Sequence, residues 1–269
     1  MKAPDSPAEQ RIPVLFVGHG SPMNGIEDNE FSRCWEKLAK TLPEPNAILC
    51  ISAHWETNGT YVTGMEMPRT IHDFYGFPQL LYNVQYPAHG STWLVRETLN
   101  ALKTEKIGLD NKWGLDHGCW IVLKKMFPDA GIPVIQLSLD SSLQAQDHYN
   151  LAKKLMPLRE KGVLILGSGN MVHNLGMVAP DGGNFNTPFG FDWALEANAH
   201  FKNLIDENRF QELADYKSLG SAVRLAVPTP EHYLPMLYAL SLKQEDEALT
   251  YFNDTAIAGS ITMTSFKIG

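Results

Sequence analysis

The sequence predicts an α/β fold: one domain with a largely parallel central sheet flanked by helices on both sides. Three observations predict it. Apolar runs at Val14–Val17, Ala47–Ile51 and Val163–Leu166 stop at glycine or turn residues, as short buried strands do. Stretches of helical periodicity separate them, which is the alternation of a parallel α/β sheet. No repeat, low-complexity tract or linker divides the 269 residues, so residues 1–269 read as a single domain.

The elements follow in order. Residues 1–11 are polar, with Pro4 and Pro7, and read as a flexible tail. Val14–Gly18 is the first strand. Asn29–Leu42 spaces Phe31, Trp35, Leu38 and Leu42 as a helix, which Pro43 and Pro45 end. Ala47–Ala53 is the second strand, and Thr60–Gly64 a short neighbour. Pro68–Pro87, rich in aromatic and turn residues, suits a substrate-facing loop. Ser91 is a plausible N-cap for a helix over Ser91–Thr104 with Trp93, Leu94, Thr98 and Leu102 along one side. Lys112–Trp120 is a glycine-punctuated loop opening a helix over Trp120–Phe127. Pro133–Leu139 reads as a strand, Leu143–Glu160 as one long helix, and Gly162–Gly169 as the next strand. Pro180–Pro188 is a loop. Phe189–Asn208 and Phe210–Tyr216 are helical. Thr229-Pro-Glu opens a helix to Leu242, with Thr229 as N-cap and Pro230 at the first position. Ser260–Ile268 alternates imperfectly, as an edge strand does.

Composition narrows the function classes. A hydrophobic share of 44% and a charged share of 19% suit a globular protein with a large core. A net charge of -8 without a basic cluster argues against nucleic acid as a partner. No apolar stretch is long enough to span a membrane, and the first residues lack a signal-peptide core, so the expected setting is the cytoplasm. Cys34, Cys50 and Cys119 show no CxxC spacing and read as free thiols of a reducing compartment.

Histidine carries the functional signal. His19, His54 and His173 each follow a strand-like run, and ligands of open α/β sheets bind beyond the carboxyl ends of strands. That recurrence points to a metal or acid/base site. Imidazole suits zinc, iron and copper, whereas magnesium and calcium prefer oxygen ligands. A closed structural zinc site usually carries cysteines, so an open, catalytic site is expected. His232 opens a helix, where the dipole favours the neutral imidazole that metal ligation needs. Asp116-His117-Gly118 and His72-Asp73 admit either acid/base or structural readings. His148 and His200, in polar helical stretches, are read as solvent-facing, and His89 as a turn residue. Competing motifs fail. Gly18-His-Gly20 lacks the third glycine of a dinucleotide fingerprint, Gly167-Ser-Gly169 lacks the spacing of a nucleophile elbow, and no P-loop or HExxH helix occurs.

The motifs Gly18-His-Gly-Ser-Pro-Met23, Ser52-Ala-His-Trp55, His72-Asp-Phe74 with Gly76-Phe-Pro78, Asp116-His-Gly118, Gly169-Asn-Met-Val-His-Asn174 and Pro228-Thr-Pro-Glu-His-Tyr233 together resemble the LigB-type extradiol ring-cleavage dioxygenases. The DOPA 4,5-dioxygenase-like branch matches best, from about Val14 to the C-terminus. The resemblance implies a single α/β domain with one divalent metal, Zn(2+) or Fe(2+), iron being expected for turnover. It implies His19, His54 and His232 as metal ligands and His173 as active-site base and possible fourth ligand. His117 would be a second catalytic histidine, and His72, Asp73 and Tyr233 the substrate contacts. The implied reaction opens a small catechol such as L-DOPA with O2, giving a muconate semialdehyde. An all-histidine set departs from the two histidines and a carboxylate common in ring-cleaving iron enzymes. Zinc fits such a set equally well but has no redox chemistry for O2. Two alternatives therefore stand beside it: a zinc hydrolase using the same histidines, and a non-catalytic binding protein of the Memo kind.

Overall fold

A computed structural model describes residues 11–180 and 184–269. Most of the expected tail, residues 1–10, and residues 181–183 of the loop expected over Pro180–Pro188 lie outside the described residues. Six strands form the central sheet: β1 (Val14–Gly18), β2 (Ala47–Ser52), β3 (Val134–Gln136), β4 (Val163–Gly169), β5 (Leu249–Phe252) and β6 (Ser265–Ile268). Their spatial order is β3-β2-β4-β1-β6-β5. The β3-β2, β2-β4 and β4-β1 pairs are parallel, whereas β6 runs antiparallel to both β1 and β5.

The strands are apolar on both faces because both faces are covered, as in parallel sheets generally. Val14, Phe16, Leu49, Ile51, Val163 and Ile165 point to one core. That core is roofed by helices α2 (Thr92–Ala101), α4 (Ala145–Lys153), α5 (Asp192–Asp206) and α6 (Leu234–Leu240). Leu15, Val17, Ile48, Cys50, Leu164 and Leu166 point to the other, beneath α1 (Glu30–Ala39) and α3 (His117–Met126). The fold is thus the single α/β domain that the sequence predicts. The helix caps are local: Asn29 and Ser32 make a capping box on α1, and Ser91 accepts from the Leu94 amide on α2.

Several elements differ from expectation. Ser265–Ile268 is an inner strand, because β5 covers its free edge. The apolar alternation of Ser260–Ile268 breaks at Met263 and Thr264 into two short strands, the first of them Ile261–Thr262. Thr60–Thr63 pairs with Ile107–Asp110 in a separate two-stranded sheet. The helix expected over Leu143–Glu160 is two, Ala145–Lys153 and Met156–Glu160, with Pro157 in the first turn of the second. α3 starts at His117, three residues earlier than its apolar periodicity suggests, because Asp116 caps it. Helix α6 starts at Leu234, so Thr229 is not its N-cap; residues 230–233 form a lead-in turn. His148 is buried, not solvent-facing. Among the described residues no helix is long and apolar enough to cross a membrane.

Candidate active site

Because β1, β2 and β4 run parallel, their carboxyl ends lie along one edge of the sheet. The His19 amide donates to the Gly169 carbonyl at 3.1 Å, docking the end of β1 on that of β4. His54 follows two residues after the last residue of β2, and the His173 amide donates to the Ala226 carbonyl beyond β4. The His232 turn is drawn in from the other side. A Cβ at Gly169 would lie 2.2 Å from the His232 carbonyl oxygen, so only glycine admits this approach. His117 is the first residue of α3, whose cap Asp116 accepts from the Cys119 amide at 3.1 Å.

Five imidazoles meet in a cavity of about 430 Å³. Ring centroids are 5.0 Å apart for His19–His54, 4.9 Å for His54–His232 and 5.4 Å for His19–His232. The His117 ring lies 3.8 Å from that of His54, and the His173 ring stacks on His232 at 3.5 Å and 8°. Nitrogen atoms of His19, His54 and His117 approach within 4.8 Å of one another, as do donor atoms of His173, Glu231 and His232.

Hydrogen bonds fix where the protons sit. The Ser168 hydroxyl donates to the Gly118 carbonyl at 2.6 Å, so it meets His19 Nδ1, 3.0 Å away, as an acceptor. His19 therefore carries its proton on Nδ1 and turns the Nε2 lone pair inward. Asp73 accepts from the His117 amide at 2.8 Å and from His117 Nδ1 at 2.9 Å, which aims that Nε2 inward as well. The same carboxylate lies 3.7 Å from His54 Nδ1. Glu231 accepts from His232 Nδ1 at 3.3 Å.

Burial, followed by repulsion between the imidazoles, holds His19 and His232 well below the usual histidine range. Burial and then His117 do the same for His54, and push His173 down to about 4. Burial raises the Asp73 carboxyl, but its hydrogen bonds from His117 outweigh this and keep it below the usual carboxylate range.

This donor set fits a metal ion. His19 Nε2 and His54 Nε2 face each other at 3.0 Å, so one proton must sit between two lone pairs. A cation can take that proton's place, and the lowered pKa values of His19, His54 and His232 favour the neutral form that ligation requires. Carboxylate and hydroxyl groups behind Nδ1 of His19, His117 and His232 are the outer support seen around ligating histidines.

Not every expected site residue is here. His72 Nε2 donates to the Val84 carbonyl at 2.9 Å and its ring packs on Phe74 and Trp120, outside the cavity. The Tyr233 hydroxyl donates to the Leu213 carbonyl at 2.9 Å within the core, also outside it. These two side chains are anchored elsewhere and do not line the cavity, whereas Asp73 does. Sequence reasoning missed Ser168, which is apolar-run filler until the register is known. It also missed Leu175, Val178, Phe185 and Ile257 of the cavity wall, which carry no local signal.

The family model for the catalytic LigB subunit of aromatic ring-opening dioxygenase matches residues 13–260. The chain is 45% identical over 262 residues to an Escherichia coli protein named 4,5-DOPA dioxygenase extradiol, covering 96% of this chain and 95% of that one. A Beta vulgaris protein of the same name is 35% identical over 263 residues, at 94% and 95% coverage. A crystal structure of an uncharacterized protein from Escherichia coli matches with a TM-score of 0.81 and 39% identity, covering 96% of this chain and all of that one (100%).

Proposed function

The chain belongs to the LigB family of aromatic ring-opening dioxygenases, and from that premise we propose that it opens the ring of a small catechol beside the diol, both atoms of O2 entering the product. The observation that carries this is the convergence of five neutral-capable imidazoles on one cavity, three of them with Nδ1 tied back and Nε2 turned inward. L-DOPA is the first substrate to test, because relatives at 45% and 35% identity carry its name.

His19, His54 and His232 would hold one divalent ion. Nitrogen–metal bonds of ~2.1 Å in open tetrahedral or octahedral directions space ring centroids roughly 5 Å apart. The three pairs in this set, at 5.0, 4.9 and 5.4 Å, suit that spacing. The His54–His117 and His173–His232 pairs, at 3.8 and 3.5 Å, are too close for both rings to point at one ion. When bound, ferrous iron supplies the Lewis acidity and the electron relay that ring opening by O2 requires.

The remaining residues handle protons and water. His173, kept neutral by burial, would take the proton as a catechol hydroxyl ionises. His117 offers Nε2 as an acceptor to the second hydroxyl, its orientation set by Asp73. Phe74, Phe77, Ile257 and Ile261 line the cavity and would exclude water from the reacting ring.

Oxygen uptake with L-DOPA by anaerobically purified protein tests the proposal, comparing ferrous-loaded and zinc-loaded samples. Uptake with a yellow semialdehyde product is expected with iron alone. Full loading with either metal and no uptake would reject it and favour a zinc hydrolase, to which the same all-histidine set is suited.

A further inference from the structure

The histidine cavity adjoins a second one of different chemistry. Ser21, Phe77 and Phe185 line both, and the second encloses about 640 Å³. No lysine, arginine or histidine is among the described residues lining it, and its one formal charge is the half-buried Glu27 carboxylate. Asn29 Nδ2 and Asn186 Nδ2 donate to Glu27 Oε2, at 3.4 and 3.1 Å, while among the described residues nothing donates to Oε1. The same two amides donate to Asn24 Oδ1, at 2.8 and 3.1 Å, and Asn24 Nδ2 donates to the His19 carbonyl at 3.0 Å. A short series of hydrogen bonds thus fixes the carboxylate relative to the backbone of His19. Held by side chains from two segments, with one oxygen to spare and no counter-ion in the cavity, it is a prepared acceptor for a cationic group.

Resting on the ring-cleavage reading, we infer that Glu27 binds the ammonium group on a catechol's side chain, so that this site selects amine-bearing catechols over their deaminated counterparts. With the diol among the imidazoles, the side chain passes the shared rim at Ser21, Phe77 and Phe185 into the second cavity. There the ammonium donates to Glu27 Oε1, a charge-assisted hydrogen bond that replaces the water it gives up. The Phe77 and Phe185 rings at the rim favour a passing cation as well. A side chain without the amine leaves Oε1 with no partner of opposite charge.

The matched pair for the test is L-DOPA and 3-(3,4-dihydroxyphenyl)propanoate, which share ring, chain and carboxylate and differ in the α-ammonium alone. Binding of each to the ferrous-loaded protein is measured calorimetrically under argon, where no turnover occurs. L-DOPA is expected to bind at least ~10-fold tighter. Glu27→Gln keeps an amide oxygen for Asn29 and Asn186 but removes the charge, and is expected to bring the two affinities to within roughly threefold of each other. General damage to the site would weaken both ligands alike and leave their ratio where it was, so the ratio isolates the ammonium contact. Equal binding of the two ligands by the parent protein overturns the inference while leaving ring cleavage intact. A parent-like ratio in Glu27→Gln overturns the assignment to this carboxylate. Binding of neither compound rejects the ring-cleavage reading, and the inference with it.

Discussion

Ser168 shows how one hydroxyl prepares a ligand. It is fully buried, donates to Gly118 and accepts from His19 Nδ1, so His19 has a single proton position open to it. Ser168→Ala leaves a buried N–H without an acceptor, at a cost of about 1–3 kcal/mol, and lets the ring choose the other tautomer. Metal affinity is expected to fall roughly 10–100-fold, read by titration against a chelator of known affinity; an unchanged affinity would detach the serine from the site. Asp73 does the same for His117. Asp73→Asn keeps one oxygen for the His117 amide but puts an NH₂ opposite Nδ1, which drives the ring proton to Nε2, facing the cavity. Turnover is expected to drop ~100-fold or more while bound iron, measured by atomic absorption, stays at the parent level. Loss of iron in that variant would instead mean that Asp73 acts through His54, 3.7 Å away.

Helix α3 brings two parts of the site together. Its first residue is His117, its second is Gly118, and its Trp120 Nε1 donates to the Ile71 carbonyl at 2.8 Å, fastening the loop that carries Asp73. A Cβ at Gly118 would lie 2.5 Å from Ser52 Oγ and 2.9 Å from His54 Cδ2. Gly118→Ala is therefore expected to push His54 out of line, destabilising the fold by about 1–3 kcal/mol and weakening metal binding; urea unfolding and metal titration on one preparation read both effects, and a variant that keeps full affinity would show that His54 can shift freely. At this scale it is also plain what the sequence could show. His19, His54 and His173 are legible because an apolar run stopping at glycine or a turn residue is a local signal of a strand end. The start of α3 is not, since Gly118 and Cys119 hide its periodicity and Asp116 is recognisable as a cap only once the helix is placed. Ser168 and His148 depend on contacts 149 and 90 residues away, to His19 and Tyr238, and no local pattern encodes those. The tie of His72 to the Val84 carbonyl is hidden for the same reason, so its aromatic neighbourhood reads as a substrate loop.

Across the whole molecule, the burial of neutral histidines makes stability depend on acid. His148, on the face of the sheet roofed by α6, has its Nε2 3.2 Å from the Asp140 carbonyl and its Nδ1 3.0 Å from the Tyr238 hydroxyl. The carbonyl can only accept, so Nε2 carries the proton and Nδ1 accepts from Tyr238; the neutral ring satisfies both partners and the imidazolium cannot. Burial lowers its pKa, although Asp140 draws it part of the way back. Below the unfolded value of about 6.5 the unfolded chain takes up a proton that the folded chain refuses, so stability falls as pH falls, by up to about 1.4 kcal/mol per pH unit for this residue. Above that value it contributes no slope. His19, His54 and His232 are lowered too, so the metal-free protein is expected to lose stability more steeply than His148 alone dictates. Metal bound only by the folded state then offsets the loss. His148→Gln separates the contributions, because the amide can donate to Asp140 and accept from Tyr238 without titrating. Urea unfolding of metal-free protein between pH 7.5 and 5 is expected to show a shallower acid slope in His148→Gln, smaller by up to one proton. Identical slopes would mean that the imidazolium is tolerated in this core, and that the acid sensitivity resides in the cavity histidines alone.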